Sequence, residues 1–191
     1  MSIGKLVVAV TGTPGVGKSL FARQLAGRVR GSTVIEINDI VKAKRLYSSR
    51  DRFGSMVVKI PALNTALNKA VRGSSGLVLV VGHLVPELRF SRRITVVLRL
   101  DLKTLIRRLR ARGYPRGKIN ENVVSEALDY CGCGVEGTGT EVYEAESRRE
   151  WKALMGYIIS VYNGTRCPKP KRREIGKMGE LLRLVKAGYS L

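Results

Sequence analysis

One segment constrains this chain more than any other: an apolar run that leads into a glycine-rich loop and then into a helical pattern. Residues 5–10 predict a fully buried strand, and the residues from Gly12 to Ser19 follow the pattern G-x4-G-K-S. Glycines in this pattern let the backbone curl until successive N–H groups point at one anion, and the following helix adds the positive end of its dipole. The segment therefore predicts a site for the phosphates of ATP or a similar nucleotide. An ordinary Gly/Pro turn that matches by accident is the alternative.

The residues of this loop have separate expected roles. Lys18 is expected to act in catalysis by reaching the β- and γ-phosphates, and the Ser19 hydroxyl is expected to bind Mg²⁺. ATP and Mg²⁺ are accordingly the expected cofactors. The predicted nucleotide-binding segment comprises Gly12, Thr13, Pro14, Gly15, Val16, Gly17, Lys18, Ser19 and Leu20.

The first two thirds of the chain alternate short apolar runs with helical patterns. A short apolar strand is predicted at 33–37, and strands covered on both faces are predicted at 77–81 and 94–98. Helices are predicted at 18–30, 39–44, 61–72, 102–112 and from about residue 120 onward. This alternation predicts an α/β fold with a mainly parallel sheet and right-handed crossovers. Residues 46–59 lack periodicity and are expected to form a mobile excursion.

The last third of the chain gives weaker signals. The glycine-rich stretch 131–140 predicts a loop or a helix break, and residues 141–155 return to a helical composition. Residues 157–162 predict a last strand. Residues 166–191 are expected to form an extended basic linker and a final helix, the helix at 175–186.

The chain is strongly basic. Its 191 residues include 35 Lys and Arg against 15 Asp and Glu, a formal net charge of +20. This imbalance favours polyanionic partners such as nucleotides, RNA or acidic protein tails. A solvated surface of thermophilic type is the alternative, although ion-pair networks need both signs of charge. No apolar run approaches bilayer length and no signal-peptide cleavage site follows the first run, so the sequence predicts a cytoplasmic protein without a membrane partner.

Three cysteines, Cys131, Cys133 and Cys167, include no C-x-x-C pair. A tetrahedral zinc site needs four ligands, and only His83 could add a nitrogen ligand. Buried or idle thiols are therefore expected rather than structural zinc.

The loop sequence Gly-Thr-Pro-Gly-Val-Gly-Lys-Ser closely resembles that of the adenylate kinase isoenzyme six family, the nuclear and archaeal adenylate kinases linked to ribosome assembly. Three later stretches resemble the same family in the same order: Gly82-His83-Leu84, the segment from Arg108 to Tyr114, and the segment from Lys118 to Val123. The resemblance covers residues 5 to about 131.

The resemblance implies the three-layer fold of a P-loop nucleoside-monophosphate kinase, with one domain over residues 1–191. Residues 36–59 would form the monophosphate-binding insertion, and residues 111–121 would form the lid. The implied reaction transfers the γ-phosphoryl group of ATP to AMP, with ATPase activity beside it.

The same resemblance implies three further site residues. Arg112 matches the family's lid arginine and would bind the nucleotide and close over the transferring phosphoryl group, unless it is one more solvated basic residue. His83 would act in catalysis, for example by positioning water, with a structural role as the alternative. Asp39 would face the second nucleotide or the magnesium shell, and a plain helix cap is equally reasonable.

The chain departs from the family at position 81. Where the family has the aspartate of an Asp-x-His signature, this chain has Val81, and that carboxylate normally helps to hold the water shell of Mg²⁺. Asp101 is one carboxylate that could replace it. The departure and the basic charge favour a second hypothesis, a nucleotide-switched factor of small-ribosomal-subunit assembly that binds a ribosomal protein or rRNA. The loop alone also admits kinase action on another small acceptor, because the acceptor pocket is set elsewhere.

Overall fold

The computed structural model describes residues 4–170 and 176–190. Its strands are β1 (Lys5–Thr11), β2 (Thr33–Glu36), β3 (Tyr47–Arg50), β4 (Met56–Val58), β5 (Gly76–Val81), β6 (Ile94–Leu98) and β7 (Glu141–Ala145). Five of them form one parallel sheet in the order β2-β5-β1-β6-β7. The strand that precedes the glycine-rich loop therefore lies at the centre of the sheet.

Helices cover both faces of this sheet. They are α1 (Lys18–Ala26), α2 (Ile37–Ala43), α3 (Ile60–Arg72), α4 (Leu102–Ala111), α5 (Arg116–Ala127), α6 (Tyr130–Cys133), α7 (Arg148–Asn163) and α8 (Met178–Lys186). Alternate residues of β1 enter two separate cores: Val8 packs with α1, α4, α5 and α7, whereas Ala9 packs with α2 and α3. The predicted three-layer α/β fold with a parallel sheet is confirmed.

Residues 46–59, which were expected to lack periodicity and form a mobile excursion, contain a regular hairpin. Strands β3 and β4 pair antiparallel, and the turn between them is closed by one side chain. The Asp51 carboxylate accepts hydrogen bonds from the backbone N–H groups of Phe53 and Ser55, each at 2.8 Å. A short polar side chain therefore organises the hairpin, by accepting hydrogen bonds from the backbone two and four residues later. A hydrophobic pattern does not.

The predicted helix at 141–155 is correct only from Arg148 onward, and the predicted strand at 157–162 is wrong. Residues Glu141–Ala145 form strand β7 against β6, and α7 then runs through the region predicted as a strand. A capping box starts α7, since the Ser147 hydroxyl accepts a bond from the Glu150 N–H and the Glu150 carboxylate accepts one from the Ser147 N–H. Glu and Ala favour helices locally, but pairing with β6 decides the structure of β7.

The boundaries of the later helices also shift. Helix α5 begins at Arg116, directly after Pro115 at its N-cap, rather than near residue 120. The stretch predicted as a loop at 131–140 begins within the short helix α6. Residues 171–175, which include part of the predicted basic linker and the expected start of the final helix, lie outside the described residues.

Two expectations concern absent features. Across residues 4–170 and 176–190, no helix combines the length and the apolar character needed to cross a bilayer. The same residues contain no group of three or more His, Cys, Asp or Glu side chains arranged to hold a metal ion.

Candidate active site

The glycine-rich loop adopts a backbone that only glycine tolerates at two key positions. Gly12 has φ 132°, and a Cβ atom there would lie 2.3 Å from the Leu98 carbonyl oxygen. Gly17 has φ 114°, and its Cβ atom would lie 2.8 Å from the ring of Trp151. The missing side chains leave room for the curled loop directly before α1, as an anion-binding loop requires.

The side chain of Lys18 folds back over this loop. Its Nζ donates hydrogen bonds to the carbonyl oxygens of Gly12 at 2.8 Å and Thr13 at 3.0 Å. Loss of water on burial lowers the pKa of Lys18 to about 8. These two acceptors are neutral, and an anion bound in the loop would give the Lys18 ammonium a negatively charged partner.

Two arginines of the α4 C-terminal region approach the same loop. The Arg108 guanidinium donates to the carbonyl oxygens of Gly15 at 3.2 Å and Val16 at 3.3 Å, which ties α4 to the loop. Arg112, one helical turn later, is exposed and lines the same cavity of about 390 Å³. The structure thus brings the predicted Lys18, Ser19 and Arg112 to one cavity.

A second cavity of about 640 Å³ adjoins the first. The two cavities share Pro14, Asn38 and Tyr114 as lining residues. The second is bounded by the β3–β4 hairpin, by the segment after β5 and by α5 and α6. Its charged lining residues are Arg50, Lys118, Glu87 and Glu121, and Lys118 pairs with Glu121 at 3.3 Å. Both cavities lie at the carboxyl ends of parallel strands, where ligands of α/β proteins usually bind.

His83 lines this second cavity, directly after β5. Its side chain is half-buried. Loss of water, together with the positive charges of Lys18 and Lys118, lowers the pKa of His83 to about 4. The imidazole is therefore neutral near pH 7, and one ring nitrogen can accept a hydrogen bond while the other donates one.

The depressed pKa of His83 gives a direct spectroscopic prediction. Because His83 is the single histidine, its imidazole proton resonance is unambiguous in an NMR pH titration. We expect a midpoint near pH 4, well below the ordinary 6.5. A midpoint at 6 or above would contradict the described environment.

The same shift has a consequence for stability. Between pH 6.5 and 4 the unfolded chain binds more protons at His83 than the folded chain, so the free energy of unfolding falls as the pH falls through this window. The environment of His83 thus favours folding above pH 6.5, by at most about 3 kcal/mol relative to a pH well below 4. His83→Gln should flatten the dependence of urea midpoints on pH within this window.

A buried ionic network joins the loop to α5 and α6. The Glu126 carboxylate, 2% exposed, accepts from the Thr13 hydroxyl at 2.5 Å and from the Leu100 N–H at 3.2 Å. It also pairs with Arg99, whose Nε lies 3.1 Å from Oε1. Arg99 pairs in turn with Asp129, a non-glycine residue with φ 55°. The network fixes Thr13 and hence the start of the loop.

Comparison with known proteins gives a consistent result. The AAA domain family matches residues 8–129. A protein of Methanothermobacter thermautotrophicus named "Putative adenylate kinase" is 37% identical over 166 residues, which cover 85% of this chain and 93% of that protein. A protein of the same name from Methanocaldococcus jannaschii is 33% identical over 154 residues, 80% of this chain and 83% of that protein. The chain belongs to the adenylate kinase-like P-loop family.

Solved structures support the fold of this family. The shikimate kinase of Bacteroides thetaiotaomicron superposes with a TM-score of 0.56 at 15% identity, over 82% of this chain and 97% of that chain. The tunicamycin resistance protein of Deinococcus radiodurans gives a TM-score of 0.54 at 19% identity, over 87% and 99% of the two chains. At these identities the two structures show that the chain shares their fold.

Two carboxylates lie away from both cavities, although the sequence made both of them candidates for the magnesium shell. Asp39 is exposed in the first turn of α2 and is not a lining residue of either cavity. Asp101 caps α4, because its carboxylate accepts a hydrogen bond from the Thr104 N–H at 2.8 Å. Val81 itself is buried in the core, only 1% exposed.

Several residues that line the cavity of about 390 Å³ were not among the candidates from the sequence. Arg108 lies four residues before Arg112, a spacing that places both side chains on the same side of the α4 C-terminal region. Glu36 lines the cavity of about 390 Å³ beside the glycine-rich loop, hereafter the phosphate cavity, but belongs to no sequence motif. Arg148 stacks on Trp151 at 4.4 Å, and both line this cavity. The Ser147–Glu150 capping box could have placed them at the start of a helix.

Proposed function

We propose that this chain is a nucleoside-monophosphate kinase of the adenylate kinase type, which transfers the γ-phosphoryl group of ATP to AMP and hydrolyses ATP slowly in the absence of an acceptor. One observation supports this function most: two adjoining cavities, one built on the phosphate loop and one bounded by the β3–β4 hairpin, meet at Pro14, Asn38 and Tyr114. A kinase needs its donor and acceptor nucleotides end to end in such an arrangement.

Phosphoryl transfer requires positioning and charge neutralisation rather than covalent chemistry by the protein. A phosphate oxygen of AMP bonds to the γ-phosphorus of ATP while the bond from that phosphorus to the β,γ-bridging oxygen breaks, which gives two ADP. Lys18 and Arg108 lie at the loop and offset the charge of the β- and γ-phosphates. Arg112, exposed at the end of α4, belongs to the proposed lid at 111–121 and would close over the phosphoryl group.

The acceptor would occupy the second cavity. Arg50 on β3 would supply positive charge for its monophosphate, and Lys118 on α5 would do so by exchanging its ion pairs with Asp51 and Glu121 for the phosphate. The hairpin belongs to the proposed monophosphate-binding part at 36–59. The neutral imidazole of His83 would hold water or an acceptor oxygen by hydrogen bonding rather than by charge.

The phosphate cavity also fits a magnesium ion by the chemistry of its donors. Mg²⁺ prefers hard oxygen ligands and usually retains several waters, and the cavity presents the Ser19 hydroxyl and one carboxylate. When bound, the metal neutralises charge between the β- and γ-phosphates.

The function is tested by following all three adenine nucleotides in time. Purified protein receives ATP and Mg²⁺ with or without AMP, and the nucleotides are separated by chromatography. The proposal predicts two ADP formed for each AMP consumed, at a rate well above the AMP-independent release of phosphate. Equal phosphate release with and without AMP, with AMP unconsumed, would contradict it.

A second candidate function, the ribosome-assembly factor, is favoured by the distribution of basic residues on α4. Its buried side is apolar, whereas Lys103, Arg107 and Arg110 are exposed and spaced four and three residues apart. They therefore form one solvent-facing basic stripe that suits a phosphate backbone. On this hypothesis the nucleotide state would control binding to rRNA or to a ribosomal protein.

Salt dependence tests this second candidate. Reversing the three charges with Lys103→Glu, Arg107→Glu and Arg110→Glu should weaken RNA binding at least about 10-fold and lower the slope of log affinity against log salt by about 2. Reversal of exposed Lys69 and Arg72 on α3 is the matched control. A slope that the α4 variant leaves unchanged would exclude this stripe as the RNA contact.

A further inference from the structure

The phosphate cavity contains one carboxylate among many cations. Its described lining includes the side chains of Lys18, Arg23, Arg108, Arg112 and Arg148. Glu36 is the single acidic residue of that described lining. A lone carboxylate in a cavity built for polyphosphate opposes the binding of the bare anion, so its presence there needs a chemical reason.

The position of Glu36 in the sheet supplies that reason. Glu36 is the last residue of β2, and its register partner on the neighbouring parallel strand is Val81. Paired residues of parallel strands point their side chains to the same face of the sheet. Glu36 therefore lies one strand away from, and on the same side as, Val81, the position at which the family resemblance implies an aspartate.

The carboxylate of Glu36 is also available. Its side chain is half-buried, and its charge acts on Lys18 across the cavity. Within the described part of the chain no hydrogen bond to this carboxylate is present, in contrast to the carboxylates of Asp101 and Glu126. Asp101 caps a helix and Glu126 is committed to the buried network, so neither can take the same role.

We propose that Glu36 is the positioning carboxylate for the water shell of magnesium in the MgATP complex, in place of the aspartate missing at Val81. This inference rests on the proposed function, because it assumes that a magnesium-bound triphosphate occupies the phosphate cavity. Neighbouring strands are about 4.8 Å apart. The extra methylene of glutamate and an intervening water together span such an offset, and Mg²⁺ retains several of its waters in proteins.

The test compares ATP binding with and without the metal. Calorimetry gives the Kd of ATP in MgCl₂ and in EDTA for the wild type and for Glu36→Gln, and fluorescence of the single tryptophan, Trp151, gives an independent readout at the cavity. We expect Glu36→Gln to bind metal-free ATP as tightly as the wild type or more tightly. The gain in affinity on adding Mg²⁺ should fall about 10-fold or more.

Three further variants sharpen the test. Glu36→Asp keeps the charge and should retain part of the Mg²⁺ dependence. Glu136→Gln removes an exposed carboxylate outside both cavities and should behave as the wild type. Asp101→Asn should leave the Mg²⁺ dependence unchanged. If Asp101→Asn loses the Mg²⁺ dependence and Glu36→Gln retains it, the inference is overturned.

Failure of the inference and failure of the proposed function give different results. If the wild type binds ATP with a clear Mg²⁺ dependence that Glu36→Gln retains, the inference alone is overturned. Equal weakening of metal-free and Mg²⁺-bound ATP by Glu36→Gln also overturns it, because a structural role would do the same. If the wild type binds no triphosphate, the proposed function fails first.

Discussion

Replacement of Lys18 by alanine is expected to lower the rate of AMP-dependent ADP formation by about 100- to 1000-fold. The Nζ of Lys18 lies over the phosphate loop, where it contacts the carbonyl oxygens of Gly12 and Thr13. In the transition state negative charge spreads over the oxygens of the transferring phosphoryl group, and a cation fixed in this low-dielectric cavity opposes that charge. No other lysine lines the described phosphate cavity.

The measurement is the initial rate at saturating ATP and AMP, with the thermal unfolding midpoint as a check that the variant folds. Lys69→Ala removes an exposed lysine in the last turn of α3 and is the matched control. Lys18→Arg should also be slow, because the planar guanidinium does not reproduce a compact ammonium. A Lys18→Ala variant with more than a tenth of the wild-type rate would contradict the assigned role.

Replacement of Glu126 by alanine is expected to lower the free energy of unfolding by about 3 to 5 kcal/mol. The variant removes one of the two carboxylates that pair with the guanidinium of Arg99, 1% exposed, and leaves Asp129 as the other. It also removes the acceptor of the Thr13 hydroxyl and of the Leu100 N–H. Buried groups that lose their partners cost more than the pair itself contributes.

Urea unfolding measures this loss, and a double variant separates its causes. Replacing both partners, as in Glu126→Leu with Arg99→Met, also removes the buried guanidinium whose Nε has lost its carboxylate, and should recover part of the stability that Glu126→Ala loses. Glu126→Ala should also weaken ATP binding, because Thr13 is no longer held. A loss of stability below 1 kcal/mol would show that the network is not the link between the loop and α5.

A structural feature of this protein can be predicted from the sequence when the residues that form it lie close together in the chain. The phosphate loop is local: a buried strand, three glycines and a helix follow one another within residues 5–26, so the sequence places Lys18 and Ser19 without further information. The second cavity is not local, because the hairpin, the segment at His83 and α5 come from distant parts of the chain. The residues that line it can be grouped only once the order of the strands in the sheet is known.

The misassigned elements have the same explanation. Residues Glu141–Ala145 have a helical composition, yet they pair along β6 and bury Tyr143 and Ala145. The hairpin at Tyr47–Val58 is closed by Asp51 rather than by a hydrophobic pattern. Glu36 offered no signal in sequence, because its meaning arises from its register with Val81 on another strand.

The most direct test of two nucleotides meeting end to end is a calorimetric titration with a bisubstrate compound, two adenosines joined by five phosphates. If the adjoining cavities hold a donor and an acceptor nucleotide, one molecule binds per chain, with a Kd at least about 100-fold lower than that of ATP, since the second half binds intramolecularly. Lys18→Ala should lose most of this affinity. Binding no tighter than that of ATP, or two molecules per chain, would contradict the account.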